Sequence, residues 1–135
     1  MKVFQTKVNM LAGSSHKEVY IKARKIYKEI VKRTKRRPYI RSAYFKKEKI
    51  FLDYFWQHLH EKNWLDQFRR LQFYNAALDV IKNSTFDPIR VQNPNRSKGM
   101  FHRFYGRTKD KIEFIVQIDE DKRNHQKYFI STFPK

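Results

Sequence analysis

Residues 101–134 read FHRFYGRTKDKIEFIVQIDEDKRNHQKYFISTFP, and this stretch decides the fold class. Three runs rich in aromatic and β-branched residues, Phe101–Thr108, Ile112–Asp119 and Lys127–Phe133, are separated by polar segments. Thr108–Lys111 and Glu120–Gln126 supply the turns, and Asp119-Glu120-Asp121 reads as turn chemistry. Runs of this length between such clusters predict an antiparallel meander. Alternation then assigns the faces. Phe114, Val116 and Ile118 share one side of the second strand. Strict alternation on the third strand groups Tyr128, Ile130 and Thr132 on one side, and Lys127, Phe129, Ser131 and Phe133 on the other. Burying Phe114, Val116, Ile118, Tyr128 and Ile130 under helices leaves Gln117, Lys127 and Ser131 on a wetter face.

Working back from the meander, three helical stretches are expected. Ser15-His16-Lys17-Glu18 has the form of a capping box, and Val19, Tyr20, Ala23, Ile26, Tyr27, Ile30 and Val31 recur at helical spacing behind it, up to Thr34. Pro38 stops that run. Ala43–Glu61, entered through Ser42, is apolar nearly all round and reads as a buried helix. Leu65, Phe68, Leu71, Tyr74, Ala77, Leu78 and Ile81 predict a third helix over 65–82. Residues 83–95 form a linker in which Asp87–Gln92 is a short strand candidate, and Met1–Val8 alternates weakly enough to be an edge strand or an arm. The expected fold is α+β: an N-terminal bundle of about three helices (1–85) packed on a small C-terminal antiparallel sheet of three to four strands (86–135), in one compact domain.

The 135 residues include twelve Phe, eight Tyr and no Cys. So many aromatics suit a folded core, and the missing cysteines exclude disulfides and thiolate metal sites. No apolar run approaches the length of a membrane span or a signal peptide core. A cytoplasmic protein is expected. The net charge is +18, and residues 14–50 alone carry +11. A field of this size concentrates polyanions, with nucleic acid first among them. Lys35, Arg36, Arg37, Tyr39 and Arg41 form a basic turn with an aromatic for base stacking. Lys98 and Arg103 add charge at the start of the meander.

His102, Gly106, Arg107 and Thr108, then Phe114-x-Val116-Gln117-Ile118, then Lys127-Tyr128-Phe129-Ile130-Ser131-x-Phe133-Pro134, resemble a phage- and mobile-element-associated branch of the barnase/colicin D/RelE-like nucleases, the BECR fold. The likeness covers about the last 40 residues. Lys98, His102, Ser131 and Phe133 follow the layout of colicin D-like members, with Phe133 where a Trp is usual and Lys98 not adjacent to the histidine. The resemblance implies a toxin or mobile-element effector acting on RNA, tRNA included, with an antidote or immunity protein as partner.

The chemistry available agrees with a metal-independent reaction. There is no phosphate-binding Gly-rich loop, no HExxH pair and no nucleophile elbow. No cofactor is implied. Ribonucleases of this kind use the substrate's own 2′-hydroxyl and need only proton transfer groups and cations. The expected catalytic set is His102 as acid/base, Arg107 as phosphate clamp, Ser131 and Thr108 as orienting hydroxyls, and Lys127 as added charge. The alternative is a non-catalytic RNA- or DNA-binding module of a ribonucleoprotein or phage particle.

Overall fold

A computed structural model describes residues 2–135; Met1, in the N-terminal strand candidate, lies outside the described residues. In chain order the elements are β1 (Phe4–Gln5), α1 (His16–Arg33), β2 (Tyr39–Arg41), β3 (Lys49–Phe51), α2 (Asp53–His60), α3 (Trp64–Gln72), α4 (Tyr74–Asn83), β4 (Ile89–Gln92), β5 (Gly99–Arg107), β6 (Glu113–Asp121) and β7 (Lys127–Pro134). The meander β5-β6-β7 is antiparallel, as expected.

The expected small sheet and helical bundle are both corrected. The sheet is mixed, curled and seven-stranded among the described residues, in the order β1-β5-β6-β7-β3-β2, with β4 also on β5. β1 joins β5 in parallel and β3 joins β7 in parallel. The segment expected to be one helix over 43–61 supplies most of this difference. After Ser42, the chain turns through Lys46 and Lys47, both in the left-handed region (φ 54° and 69°), which no helix accommodates. The β2–β3 hairpin results, and α2 begins only at Asp53. Ile50 enters the core from strand β3 and Leu52 from the residue that precedes α2, whereas Phe55, Trp56 and Leu59 enter it from α2. Their combined pattern therefore looked apolar all round. The helix expected over 65–82 is broken at Phe73, where the backbone leaves the helical region (φ −93°, ψ 1°) and separates α3 from α4.

Helix α1 forms where its sequence says. The Ser15 hydroxyl accepts from the Glu18 amide at 3.3 Å, and Val19, Ala23 and Ile30 are buried. It packs against α3, whereas α2 and α3 lie on β7 and α4 lies on β5 and β6. The four helices thus wrap the sheet instead of forming a bundle of their own. Phe55 stacks on Phe129 (ring centroids 4.9 Å apart) and Phe73 on Phe114 (5.1 Å). Gly106 permits the close approach of strand to helix: a Cβ there would lie 2.6 Å from Phe114 Cζ and 2.8 Å from Val80 Cγ2.

A β-bulge controls the faces of β7. Gln117 pairs with Ser131, but the next residue, Ile118, pairs with Phe129, so Ile130 is the extra residue. Lys127 and Phe129 consequently share the helix-covered face with Phe114, Val116 and Ile118. Tyr128 pairs with Asp119 and Ser131 with Gln117 on the opposite face. Strict alternation had placed Lys127 with Ser131, and Tyr128 with the core. Among the described residues, no helix is long and apolar enough to cross a membrane.

Candidate active site

The pairing of β4, β5, β6 and β7 brings Arg90, His102, Glu120 and Lys127 to one end of the sheet, on the helix-covered face. Arg90 is the cross-strand partner of His102, and Glu120 that of Lys127. Glu120 lies on this face because it continues the alternation Phe114, Val116, Ile118 by one more step. Its carboxylate holds two imidazoles: His102 Nε2 is 2.7 Å from Oε1, and His125 Nδ1 is 2.9 Å from Oε2. His102 is buried, whereas the His125 side chain is 69% exposed. Lys127 Nζ lies 3.1 Å from Glu48, 4.0 Å from Glu120 and 2.9 Å from the His125 carbonyl. Arg90, His102, Glu120 and Lys127 line a cleft of about 720 Å³ with Tyr44, Phe45, Lys46 and Glu48.

The electrostatics of the pair follow from this packing. Burial pushes the His102 pKa below its usual value, against the opposing pull of Glu120. Its Nδ1 is buried and has no hydrogen-bond partner. Neutral His102 therefore donates its Nε2 proton to Glu120, because protonating Nδ1 would leave a buried N–H unsatisfied. Burial also disfavours ionised Glu120. Hydrogen bonds from His125 and His102, with the charge of Lys127, outweigh that effect and hold the carboxyl below the usual carboxylate range. The result is an ionised carboxylate fixed between a buried ring and an exposed ring, with cations around it.

Of the five residues expected to share a catalytic site, this cleft contains His102 and Lys127. Ser131 is on the far side of the sheet, where its hydroxyl accepts a hydrogen bond from Arg70; the bulge at Ile130 separates it from Lys127. Arg107 is at the other end of β5 and pairs with Glu113 at 2.8 Å. Thr108 is fully buried in the β5–β6 turn, where its hydroxyl binds Asp110 and the Ile112 amide. The expected convergence is thus corrected to the pair His102 and Lys127.

The nucleic-acid candidates also separate. Lys35 and Arg36 are exposed in the bend after α1. Arg37 turns inward: its Nε is 2.9 Å from both Asp53 oxygens, and its guanidinium lies 4.7–4.9 Å from the rings of Phe51, Tyr54 and Tyr128. It is a packed structural cation. Tyr39 and Arg41 form the edge strand β2. Lys98 is exposed in the turn before β5, and Arg103 donates to Gln117 on the Ser131 side of the sheet.

Sequence reasoning missed Glu120, His125 and Arg90. For Glu120 the signal existed, since counting in twos from Phe114 reaches it. Arg90 depended on the short strand Ile89–Gln92 finding β5, and nothing in the sequence distinguished His125 from other turn residues. Among the described residues, no group of three or more His, Cys, Asp or Glu side chains is arranged to hold a metal ion. Compared with protein-family models, curated proteins and solved structures, the chain matches none.

Proposed function

We propose that this protein is a metal-independent endoribonuclease that cleaves RNA by attack of the 2′-hydroxyl on the adjacent phosphodiester. One observation carries the reading: the ionised Glu120 carboxylate, bound by buried His102 and exposed His125, at a cleft flanked by Lys46, Arg90 and Lys127.

Each group then has a role. Glu120 accepts the proton of the 2′-hydroxyl as that oxygen attacks phosphorus. The bond from phosphorus to the 5′-oxygen breaks, and His125, in its protonated form, gives the leaving oxygen its proton. Lys127 and Arg90 oppose the negative charge that builds on the non-bridging oxygens. His102 is a positioning residue; its Nε2–H fixes the orientation of Glu120. Tyr44 and Phe45 offer rings at the cleft for a base or ribose. The products carry a 2′,3′-cyclic phosphate and a free 5′-hydroxyl.

The large positive charge supports RNA as the substrate class. The sequence resemblance to BECR-type nucleases agrees with this chemistry, and an effector or toxin acting in the cytoplasm on RNA, with an antidote protein as partner, is the biological setting it suggests. The test is incubation of the purified protein with RNA in EDTA. Cleavage that yields 2′,3′-cyclic phosphate ends, and that spares RNA methylated at the 2′-oxygen, is the expected result. Tight binding of both RNAs with cleavage of neither makes the protein a binding module instead.

A further inference from the structure

A second cationic feature lies outside the cleft. Between the end of α1, the edge strand β2 and α4 runs a groove of about 330 Å³, floored by Ile30 and Ile40 and carrying Arg33, Arg41, Lys47 and Lys82. All four cations are exposed, and among the described residues none of them forms a salt bridge with a carboxylate. Glu29 and Asp79 line the adjoining apolar hollow, and Glu48, next to Lys47 in the chain, faces Lys127 at 3.1 Å on the cleft side. Glu29 and Asp79 are already engaged: Glu29 faces Lys32 at 3.7 Å, and Asp79 accepts from the Lys7 amide and the Asn83 side chain.

The local chemistry keeps this groove positive. A helix C-terminus normally presents free carbonyls and repels anions. Here the Thr34 hydroxyl donates to the Ile30 carbonyl at 3.0 Å, and Arg33 Nε donates to the Glu29 carbonyl at 3.3 Å. Opposite them, Arg41 Nη1 donates to the Lys47 carbonyl at 2.9 Å, which ties the β2–β3 loop to the edge strand. Tyr39 adds an aromatic ring beside the cations, with Lys49 Nζ 4.6 Å and Arg41 Cζ 5.4 Å from its centroid.

The β2–β3 loop also connects the groove to the cleft. Lys46 lines the cleft and Lys47 lines the groove, and both hold left-handed backbone conformations. Lysine adopts that conformation at a cost of order 1 kcal/mol or more, and such outliers cluster at ligand-binding segments. Consecutive residues in this conformation send their side chains to two different depressions of one surface.

We infer that the Arg33–Arg41–Lys47–Lys82 groove binds the sugar-phosphate backbone of RNA at a distance from the scissile bond. The β2–β3 loop carries that strand into the cleft. Only the continuity with the cleft rests on the cleavage reading; binding in the groove stands without it. The cations contact phosphates, Tyr39 stacks on a base, and no base sequence is read.

The experiment uses the full chain and a long 2′-O-methylated RNA, which binds without being cut. Affinity is measured against salt for the wild type, for Arg33→Gln with Lys82→Gln, and for a control pair, Lys17→Gln with Lys25→Gln, elsewhere on α1. Circular dichroism and thermal melts verify folding of each. The groove pair is expected to bind more weakly and to lower the slope of log affinity against log salt by about 0.7 per lost cation. The control pair should leave both nearly unchanged, and cleavage of a dinucleotide, which fills the cleft alone, should not change in the groove pair. Equal weakening by the control pair, or wild-type affinity and slope in the groove pair, overturns the assignment. Absence of cleavage in the wild type overturns the cleavage reading and leaves the binding result to judge the groove.

Discussion

His102 Nε2 lies 2.7 Å from Glu120 Oε1, so a buried ring and a largely buried carboxylate share one proton between them. Burial favours neutral His102, while Glu120 favours its protonated form, and burial prevails. A histidine titration followed by NMR should therefore place the His102 midpoint below the usual value of about 6.5. In Glu120→Gln it should fall further, because the opposing bond and charge are weakened. A midpoint that rises in that variant contradicts the arrangement.

The same shifts set the acid stability. With a depressed folded pKa, His102 binds fewer protons in the folded state than in the unfolded chain. The stability this gives is present above about pH 6.5 and is lost as pH falls through the folded value. Glu120, whose pKa is also depressed, contributes stability above its unfolded value of about 4.3, and this is lost as pH falls further. Urea denaturation should show stability declining from pH 7 toward pH 5 and again below pH 4.5. His102→Gln should reduce the first decline.

Ser131 and Arg107 lie outside the cleft, and their variants separate the two versions of the active site. Ser131→Ala and Arg107→Gln should cleave RNA at the wild-type rate. His125→Ala should lose about 10²-fold or more, the usual loss for a proton-transfer group. Loss of activity in Ser131→Ala, with the fold intact, would restore the site expected from alternation.

Packing at the core gives two further outcomes, read from thermal or urea unfolding. Phe129→Ala removes a fully buried ring stacked on Phe55 and should cost about 3–5 kcal/mol. Gly106→Ala sets a methyl group against Phe114 and Val80 and should cost about 1–3 kcal/mol. A neutral effect of either would mean that β5 and β7 sit less tightly against the helices than their contacts require.

The antiparallel meander was legible because Phe114, Val116 and Ile118 alternate cleanly between polar turns. So was α1, from its capping serine and its apolar stripe. The β2–β3 hairpin was hidden: Tyr44, Phe45, Ile50, Phe51 and Leu52 are as compatible with a buried helix as with two short strands and a turn. Two lysines in left-handed conformation decided between them, and lysine gives no sequence sign of that conformation. The break at Phe73 was hidden likewise, since the apolar spacing of α3 runs on into α4. At the site, one extra residue, Ile130, was enough to move Lys127 and Ser131 to opposite faces. Alternation alone cannot locate a bulge, so the basic and hydroxyl groups were grouped wrongly, while Glu120 was assigned to a turn.

The most direct test of the central claim compares the rate of RNA cleavage in EDTA by the wild type and by Glu120→Gln, with affinity for uncleavable RNA measured on both. The proposed role predicts a fall in rate of about 10²-fold or more with affinity retained. Cleavage by Glu120→Gln at the wild-type rate would contradict it.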